Sequence, residues 1–193
     1  VAVARQAVAD ADLRLEFSEA HALRQRMGCY VGSALGGVAF AEEQHQAYVA
    51  GGLAAVHPSL ALAVFGGAGA SNAAMALGLH GPSIANSNSC ASGAIAIGEA
   101  FRLVRAGQAP AMIAAGAEVP LAPLTFGAFA VIRAMSTAND CPGRASRPFD
   151  ADRDGFVMGE GAAALVLEDL DHARARGARA YAEMLGYGIS NDA

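Results

Sequence analysis

Tryptophan and lysine are both absent from this 193-residue chain, and cysteine occurs only three times. Without lysine, all 13 basic side chains are arginine, and they are scattered. Nucleic-acid binding needs a coherent basic surface; none shows, and the formal net charge is −5. The nearest thing to a basic run is Arg174, Arg176 and Arg179, which lies beside Glu168, Asp169 and Asp171 and reads as a solvated helix face. The lack of tryptophan argues against an aromatic-rich binding surface. Cys29, Cys90 and Cys141 lie far apart, with no CxxC pair and no histidine close enough for a zinc site. An odd count speaks against a disulfide framework and for a reducing compartment, which points to the cytoplasm. No signal peptide is visible. The longest apolar segment, Leu60 to Leu79, contains Ser71 and Asn72 and is interrupted by Gly66, Gly67 and Gly69. A membrane span is longer and cleaner, so no membrane partner is expected. The chain opens at Val1 in the middle of a helical pattern, which reads as a piece of a longer protein.

What is present is a core. Hydrophobic residues make up 54% of the chain and charged ones 16%, which excludes disorder. Much of the apolar content is alanine and valine, and glycine numbers 23. That composition suits helices packed tightly on sheets. Helical spacing of Val1, Ala4, Val8 and Ala11 predicts a helix over Val1 to Leu13. Leu15 to Met27 reads as a polar connection. Gly28 to Ser33 reads as a short buried strand, and Gly32, Gly36 and Gly37 mark a loop. Phe40 to Ala50 is a polar amphipathic helix. His57-Pro58 is a break, and Leu60 to Leu79 holds one or two helical turns around the glycine cluster. Pro82 to Ala85 reads as a short apolar strand leading into a turn at Cys90, and Ala94 to Val104 is a helix that Gly107 closes. Ala111 to Ala117 is a buried strand of the parallel-sheet kind, so a βαβ unit is expected here. Pro120 to Met135 reads as apolar and irregular, and Ser136 to Asp154 as a long polar loop. Gly161 to Glu168 is a strand, Asp169 to Arg176 a helix ended by Gly177, and Arg179 to Ile189 a final strand.

Several motifs can be set aside. Gly66-Gly67-Ala68-Gly69 lacks the third glycine of a dinucleotide fingerprint and follows no clear strand, so close helix packing is the reading. Gly32-Ser33-Ala34-Leu35-Gly36 is not a serine-hydrolase elbow. Asp150, Asp152, Asp154 and Glu160 with Arg144, Arg147 and Arg153 could form a metal or acid–base cluster. The plainer reading is a loop held by Arg–carboxylate pairs. His21, His45 and His172 lie on polar stretches and read as solvated. His57 and His80 stand beside turns, and none of the five is an evident base for a nucleophile.

Cys90 is the candidate that remains. It sits in Gly81-Pro-Ser-Ile-Ala-Asn-Ser-Asn-Ser-Cys-Ala-Ser-Gly93, between an apolar stretch and a nearly charge-free helix. A thiol at a helix N-terminus meets unpaired N–H groups and a dipole that favours the thiolate, an effect of up to ~2 kcal/mol. The competing reading is a small buried residue at a helix start, since free cysteine is among the most buried residue types. Local pattern alone leaves both open.

The wider motifs resemble the β-ketoacyl synthases of the thiolase superfamily, ketosynthase II type. They are Gly81-Pro-Ser through Cys90-Ala-Ser-Gly93, Gly116-Ala-Glu118, Ala134-Met-Ser-Thr-Ala-Asn-Asp140, Ser146-Arg-Pro-Phe-Asp150 and Arg153-Asp-Gly-Phe-Val-Met-Gly-Glu-Gly161. Gly32-Ser-Ala-Leu-Gly-Gly37 and Gly186-Tyr-Gly-Ile-Ser-Asn-Asp-Ala193 match too. The resemblance covers almost the whole chain. It implies an α/β thiolase-like fold: a mixed, mostly parallel sheet with helices on both faces, one half of a duplicated αβαβα architecture. Residues 1–193 would then be the N-terminal ketosynthase domain without its first strand and without the C-terminal half.

The resemblance also implies roles. Cys90 corresponds to the acyl-accepting nucleophile, and its own N–H to one arm of an oxyanion hole. Leu35 and Phe129 match positions lining the acyl pocket, Ser89 abuts that pocket, and Arg133 matches a position near the carrier-protein entrance. The implied reaction is acyl transfer from carrier protein to Cys90, then decarboxylative condensation with malonyl-carrier protein, in fatty-acid or polyketide-type synthesis. The implied partners are acyl carrier protein and a second copy in a homodimer, with no cofactor and no metal. In the family the two histidines of decarboxylation, a lysine and the second oxyanion arm belong to the half that is missing here. The alternatives are a non-catalytic partner of the chain-length-factor type, in which the cysteine is typically replaced, and an inactive fragment with a structural role.

Overall fold

The computed structural model describes residues 1–15 and 17–191. The predicted first helix forms as α1 (Ala2–Asp10), with Ala4 and Val8 buried as their spacing requires. The stretch expected to be merely connective instead contains a 3₁₀ turn (Ser18–Ala20) and α2 (His21–Arg26). Leu23 packs on the core from this helix, and Arg24 and Arg26 stand in its last turn, where the dipole favours cations. One apolar residue among polar ones carries too little periodicity to be seen in advance. The expected strand follows as β1 (Gly28–Gly32), and the polar helix as α3 (Val38–Gly51).

Between Leu60 and Leu79 there is more helix than expected, α4 (Leu60–Ala63) and α5 (Ala68–Leu77). Packing explains why a glycine sits inside α5: a Cβ on Gly69 would come 3.3 Å from Val31 Cγ1, so α5 lies close on β1. This is the packing role read for the Gly66–Gly69 cluster, and it holds for Gly69 but not for Gly67, where a Cβ would meet nothing within 4 Å. Next come β2 (Ser83–Asn86), α6 (Ser92–Arg105) and β3 (Ala111–Glu118). Gly107, at φ +68°, ends α6 as predicted. The segment expected to be irregular holds α7 (Pro123–Val131). Its residues are apolar around most of the circumference, which erased the amphipathic signal, while Pro123 at the first position is a helix-starting residue. β4 (Gly161–Glu168) and α8 (Leu170–Ala175) complete the regular elements.

The four strands form one sheet in the order β2-β1-β3-β4. β1 runs parallel to both neighbours, with Cys29 beside Ser83 on one side and Ile113 on the other. The expected βαβ unit is therefore present with a difference: β2 and β3 are joined through α6 but are separated by β1. Alternation along β3 sorts its side chains onto two faces. Ala111, Ile113 and Ala115 join the core with α1 and α5, whereas Met112 and Ala114 join the core with α6. Helices thus cover both faces, as the fold class required.

The chain divides into two compact units, residues 1–36, 65–118 and 162–193 in the first, and 37–64 and 119–161 in the second. The sheet belongs to the first. Within the second, Glu42 of α3 accepts from the N–H of Leu124 and the N–H and hydroxyl of Thr125, all within 2.9 Å. A side chain distant in sequence thus caps the first turn of α7. Partial burial works against the charge of Glu42, but these three donors outweigh it and hold its carboxyl below the usual range.

Ser136 to Asp154 forms a loop as predicted, with one 3₁₀ turn at Pro142–Arg144, and lies in the second unit. Only part of the expected Arg–carboxylate lattice forms. Arg147 pairs with Asp154 at 3.3 Å, while Arg153 donates to the backbone carbonyl of Asp150. Asp154 also accepts from the Ser136 hydroxyl and the Thr137 N–H, which lower its pKa, the hydroxyl most. No group of metal-ligating side chains occurs among the described residues.

Two expectations near the C-terminus are corrected. The helix face read as solvated holds a shielded ion pair: Arg176 Nε and Nη2 each reach Glu168 at 2.7 Å, and the carboxylate side chain is only 9% exposed. His172, also read as solvated, is bonded to the same carboxylate through Nδ1 at 2.5 Å. Asp169, Asp171, Arg174 and Arg179 are exposed as expected, with Arg174 3.9 Å from Asp171. Second, Arg179 to Ile189 is not a strand. No described strand pairs with it, and side chains tether it instead. The Tyr181 hydroxyl donates to Asp10, and the Tyr187 ring lies against Gly98 of α6. The last residues of the Gly186–Ala193 motif, Asp192 and Ala193, lie outside the described residues.

Glu168 carries a pH prediction. Burial raises its pKa, but the Arg176 and His172 bonds overcome this, so the net shift is downward. A lowered native-state pKa contributes stability that is full above the unfolded value, about 4.3 for glutamate. That contribution fades as pH falls through the native value. The melting temperature of Glu168→Gln is therefore expected to lie below that of the native chain at pH 7, with the gap closing as pH drops below ~4. Parallel melting curves across that range would contradict the ion pair's role.

Candidate functional site

The ends of three parallel strands and the start of one helix converge in the first unit. β1 ends at Gly32, where a Cβ would come 2.2 Å from the Ser92 carbonyl oxygen. The strand end therefore abuts the first turn of α6, and only glycine permits the approach. β3 approaches the same turn through Gly116, whose Cβ would lie 3.4 Å from the Cα of Gly93. β2 ends at Asn86, whose Nδ2 donates to the Ser92 carbonyl at 3.0 Å and whose own carbonyl accepts from the Ser33 N–H at 3.1 Å. Binding sites of open parallel sheets form at the carboxyl ends of strands, and this is such an end.

Cys90 stands at that convergence. It lies in a 3₁₀ turn (Ser89–Ala91) that runs directly into α6, the arrangement expected from the sequence. Its side chain is exposed, which removes the reading of Cys90 as a small buried residue. The buried cysteine is Cys29, wholly enclosed within β1, its Sγ 3.1 Å from the Ala70 carbonyl. Burial pushes the Cys29 thiol up, so it is a poor nucleophile. Cys141, in the second unit, is exposed as well.

Ser89 holds a conformation that serine rarely adopts, φ +50°. Left-handed backbone at a non-glycine residue costs about 1–2 kcal/mol. The surrounding bonds of Asn86, Ser92 and Ser33 keep the turn in place despite that cost. A strained residue immediately before an exposed thiol is the kind of local conflict that functional sites tolerate.

Leu35 belongs to the loop after β1 and is 37% exposed. Its loop starts at the strand end that touches the Cys90 helix, so Leu35, Ser89 and Cys90 share one end of one unit. Phe129 and Arg133 belong to the second unit. Phe129 is half-buried on α7 and meets the edge of Phe156 at 5.5 Å. Arg133 follows α7 and is exposed, with φ +58°. Glu118 is the residue whose part the sequence did not disclose. It accepts from the Ser33 hydroxyl, the Ala34 N–H and the Leu35 N–H. Its signals were its place in the Gly116-Ala-Glu118 motif and at the end of a buried apolar run, and neither assigned it a partner. No histidine bonds to Cys90 among the described contacts, and His57 instead lies in the second unit, its ring 6.3 Å from that of Phe40.

Comparison with known proteins places these residues in context. Residues 1–173 match the family model for the N-terminal domain of β-ketoacyl synthase. The 3-oxoacyl-[acyl-carrier-protein] synthase 2 of Vibrio cholerae is 44% identical over 182 residues, which is 94% of this chain and 44% of that protein. A β-ketoacyl synthase crystal structure from Burkholderia phymatum superimposes with a TM-score of 0.76 at 36% identity, covering 93% of this chain and 45% of the other. A ketosynthase complex described as a type II polyketide acyl-carrier protein with its ketosynthase bound to the hexaketide gives a TM-score of 0.80 at 31% identity, covering 91% and 44%. The chain thus spans a little under half the length of these relatives.

Proposed function

The chain belongs to the β-ketoacyl synthase family, and on that premise we propose that Cys90 is the acyl acceptor of a carbon–carbon condensing enzyme. The whole protein would take an acyl group from acyl carrier protein, condense it with malonyl-carrier protein, and release a β-ketoacyl product. It would do so as a homodimer in the cytoplasm, a compartment that suits three unpaired thiols. Residues 1–193 would supply its N-terminal ketosynthase domain, with the rest of the catalytic machinery on the remaining half.

The chemistry follows from a sulfur nucleophile. The Cys90 thiolate attacks the carbonyl carbon of the acyl thioester, and the carrier's thiol departs, leaving an acyl-cysteine. Malonyl thioester then loses CO₂, and the carbanion attacks the acyl-cysteine carbonyl. The new carbon–carbon bond forms as the Cys90 thiolate leaves. Both additions place negative charge on a carbonyl oxygen, which needs N–H donors set in advance. The Cys90 N–H, at the start of α6, is the arm this chain would contribute. Leu35, Ser89 and Phe129 would contact the acyl chain, and Arg133 would meet the carrier protein.

The observation that carries this reading is the exposed Cys90 thiol at the convergence of three strand ends and a helix start. It also favours an enzyme over a non-catalytic partner, since the thiol is kept and accessible. The test is covalent. Incubating the whole protein with an acyl-carrier thioester should add the acyl mass to the peptide containing Cys90. Limited iodoacetamide should alkylate Cys90 ahead of Cys141 and leave Cys29 untouched. Exposure alone cannot separate Cys90 from Cys141, so that pair is the informative contrast. An acyl adduct on Cys141, or none on Cys90 while product still forms, would sink the assignment.

A further inference from the structure

Four consecutive backbone N–H groups in the loop after β1 are all satisfied, one by the last carbonyl of β2, two by the carboxylate that ends β3 and one by a side chain of the loop itself. Ser33 N–H goes to the Asn86 carbonyl at 3.1 Å. Ala34 N–H goes to Glu118 Oε2 at 2.5 Å, and Leu35 N–H to Glu118 Oε1 at 3.2 Å. Gly36 N–H goes to Ser33 Oγ at 3.0 Å, and that hydroxyl in turn donates to Glu118 Oε1 at 3.3 Å. One carboxylate therefore takes three donors from three successive residues and, through Ser33, ties in a fourth.

The anchor and the loop differ in rigidity. Glu118 ends β3, whose residues 111 to 115 are buried and whose Gly116 packs on the Cys90 helix. The loop has no ladder of its own, and its Leu35 projects an exposed apolar side chain. Nothing in apolar packing demands that an exposed leucine be held so tightly. An ionised carboxylate is suited to the task, because its two oxygens offer about four acceptor sites and make charge-assisted bonds. Glutamine offers one oxygen and would turn an NH₂ toward an N–H donor.

We propose that Glu118 is a positioning residue that fixes Leu35 relative to Cys90 and thereby sets acyl-chain selectivity. The inference rests on the reading of Cys90 as acyl acceptor and Leu35 as a wall of the acyl site. A wall discriminates between chain lengths only if it stays where it is. A loop free to shift accommodates both the short and the long chain, so the preference between them collapses while Cys90 itself remains competent. In a fixed pocket one methylene is worth about 10- to 200-fold, so loss of the anchor should reduce the selectivity ratio by roughly 10-fold.

The test measures acylation of Cys90 in the whole protein by mass spectrometry, using a short and a long saturated acyl-pantetheine thioester. The quantity read is the ratio of their kcat/KM values. Glu118→Gln and Leu35→Ala should each move that ratio toward one. The double variant should move it no further than Leu35→Ala alone, because both act through the same side chain. Hydrogen exchange at the Ala34 and Leu35 amides should accelerate in Glu118→Gln. Ser33→Ala, which removes one bond and spares the carboxylate, should give a smaller change in the same direction, and it serves if Glu118→Gln fails to fold. An equal loss of rate with both donors, at an unchanged ratio, would overturn the proposal and leave Glu118 merely structural. A shifted ratio in Leu35→Ala with none in Glu118→Gln or Ser33→Ala would overturn it while leaving Leu35 in the acyl site. No acylation of Cys90 from either donor in the native protein would defeat the functional reading, and this inference with it.

Discussion

Cys90→Ala is expected to abolish condensation in the whole protein, with a loss of at least about 1,000-fold, while the fold stays intact. The two halves of that expectation have separate origins. Removing the sulfur removes the only atom proposed to carry the acyl group, and the neighbouring Ser89 hydroxyl is no substitute without a base to activate it. The side chain is exposed, so its truncation leaves no cavity. Surface changes of this kind alter stability by about 0.5 kcal/mol or less, roughly 1–2 °C in a chain of this size. Condensation activity and a melting curve, measured on the same sample, check both. Activity retained at a tenth of the native level or more would rule out Cys90 as the acyl carrier. Loss of activity together with a collapsed melting temperature would point to Cys90 as a structural residue instead.

The second large effect is expected at Gly32. A Cβ there would stand 2.2 Å from the Ser92 carbonyl oxygen, a backbone atom that cannot rotate away. Gly32→Ala must therefore push β1 and α6 apart. Overpacking of this kind costs about 1–3 kcal/mol and occasionally more, which lowers the melting temperature by roughly 2–12 °C. The same displacement moves the turn bearing Cys90, and a shift of about 1 Å at a reacting group can reduce rate ~100-fold. A contrasting substitution, Gly127→Ala in α7, meets no atom within 4 Å. It should leave stability unchanged or raise it by about 0.5–1 kcal/mol, since alanine is the better helix residue. If Gly32→Ala melts and acylates like the native chain, the close approach of β1 to α6 is wrong.

The elements legible from sequence were those whose pattern was local. α1, β1, α3, β2, α6, β3, β4 and α8 all arose where apolar spacing, an apolar run, or a glycine stop marked them. The misses had local patterns that were weak or misleading. α2 has one core-facing residue, α7 is apolar on nearly every side, and the last segment looked like a strand but has no described strand beside it. Glu168 and Arg176 looked solvated because charge is usually solvated. Only the turn of α8 against the end of β4 shows that the carboxylate is shielded.

Of the candidate site, Cys90 could be singled out from its small-residue turn and from the motifs around it. Those residues alone determined the family and the fold class, because close backbone approaches demand glycine, alanine and serine at set places and leave a recognisable trace. What only the tertiary structure decided is which cysteine is accessible, which strand lies between β2 and β3, and what holds Leu35. Glu118 is 83 residues from the Leu35 N–H it receives. A contact of that kind is made by two strands lying side by side, and neither segment carries a sign of the other until the sheet has formed.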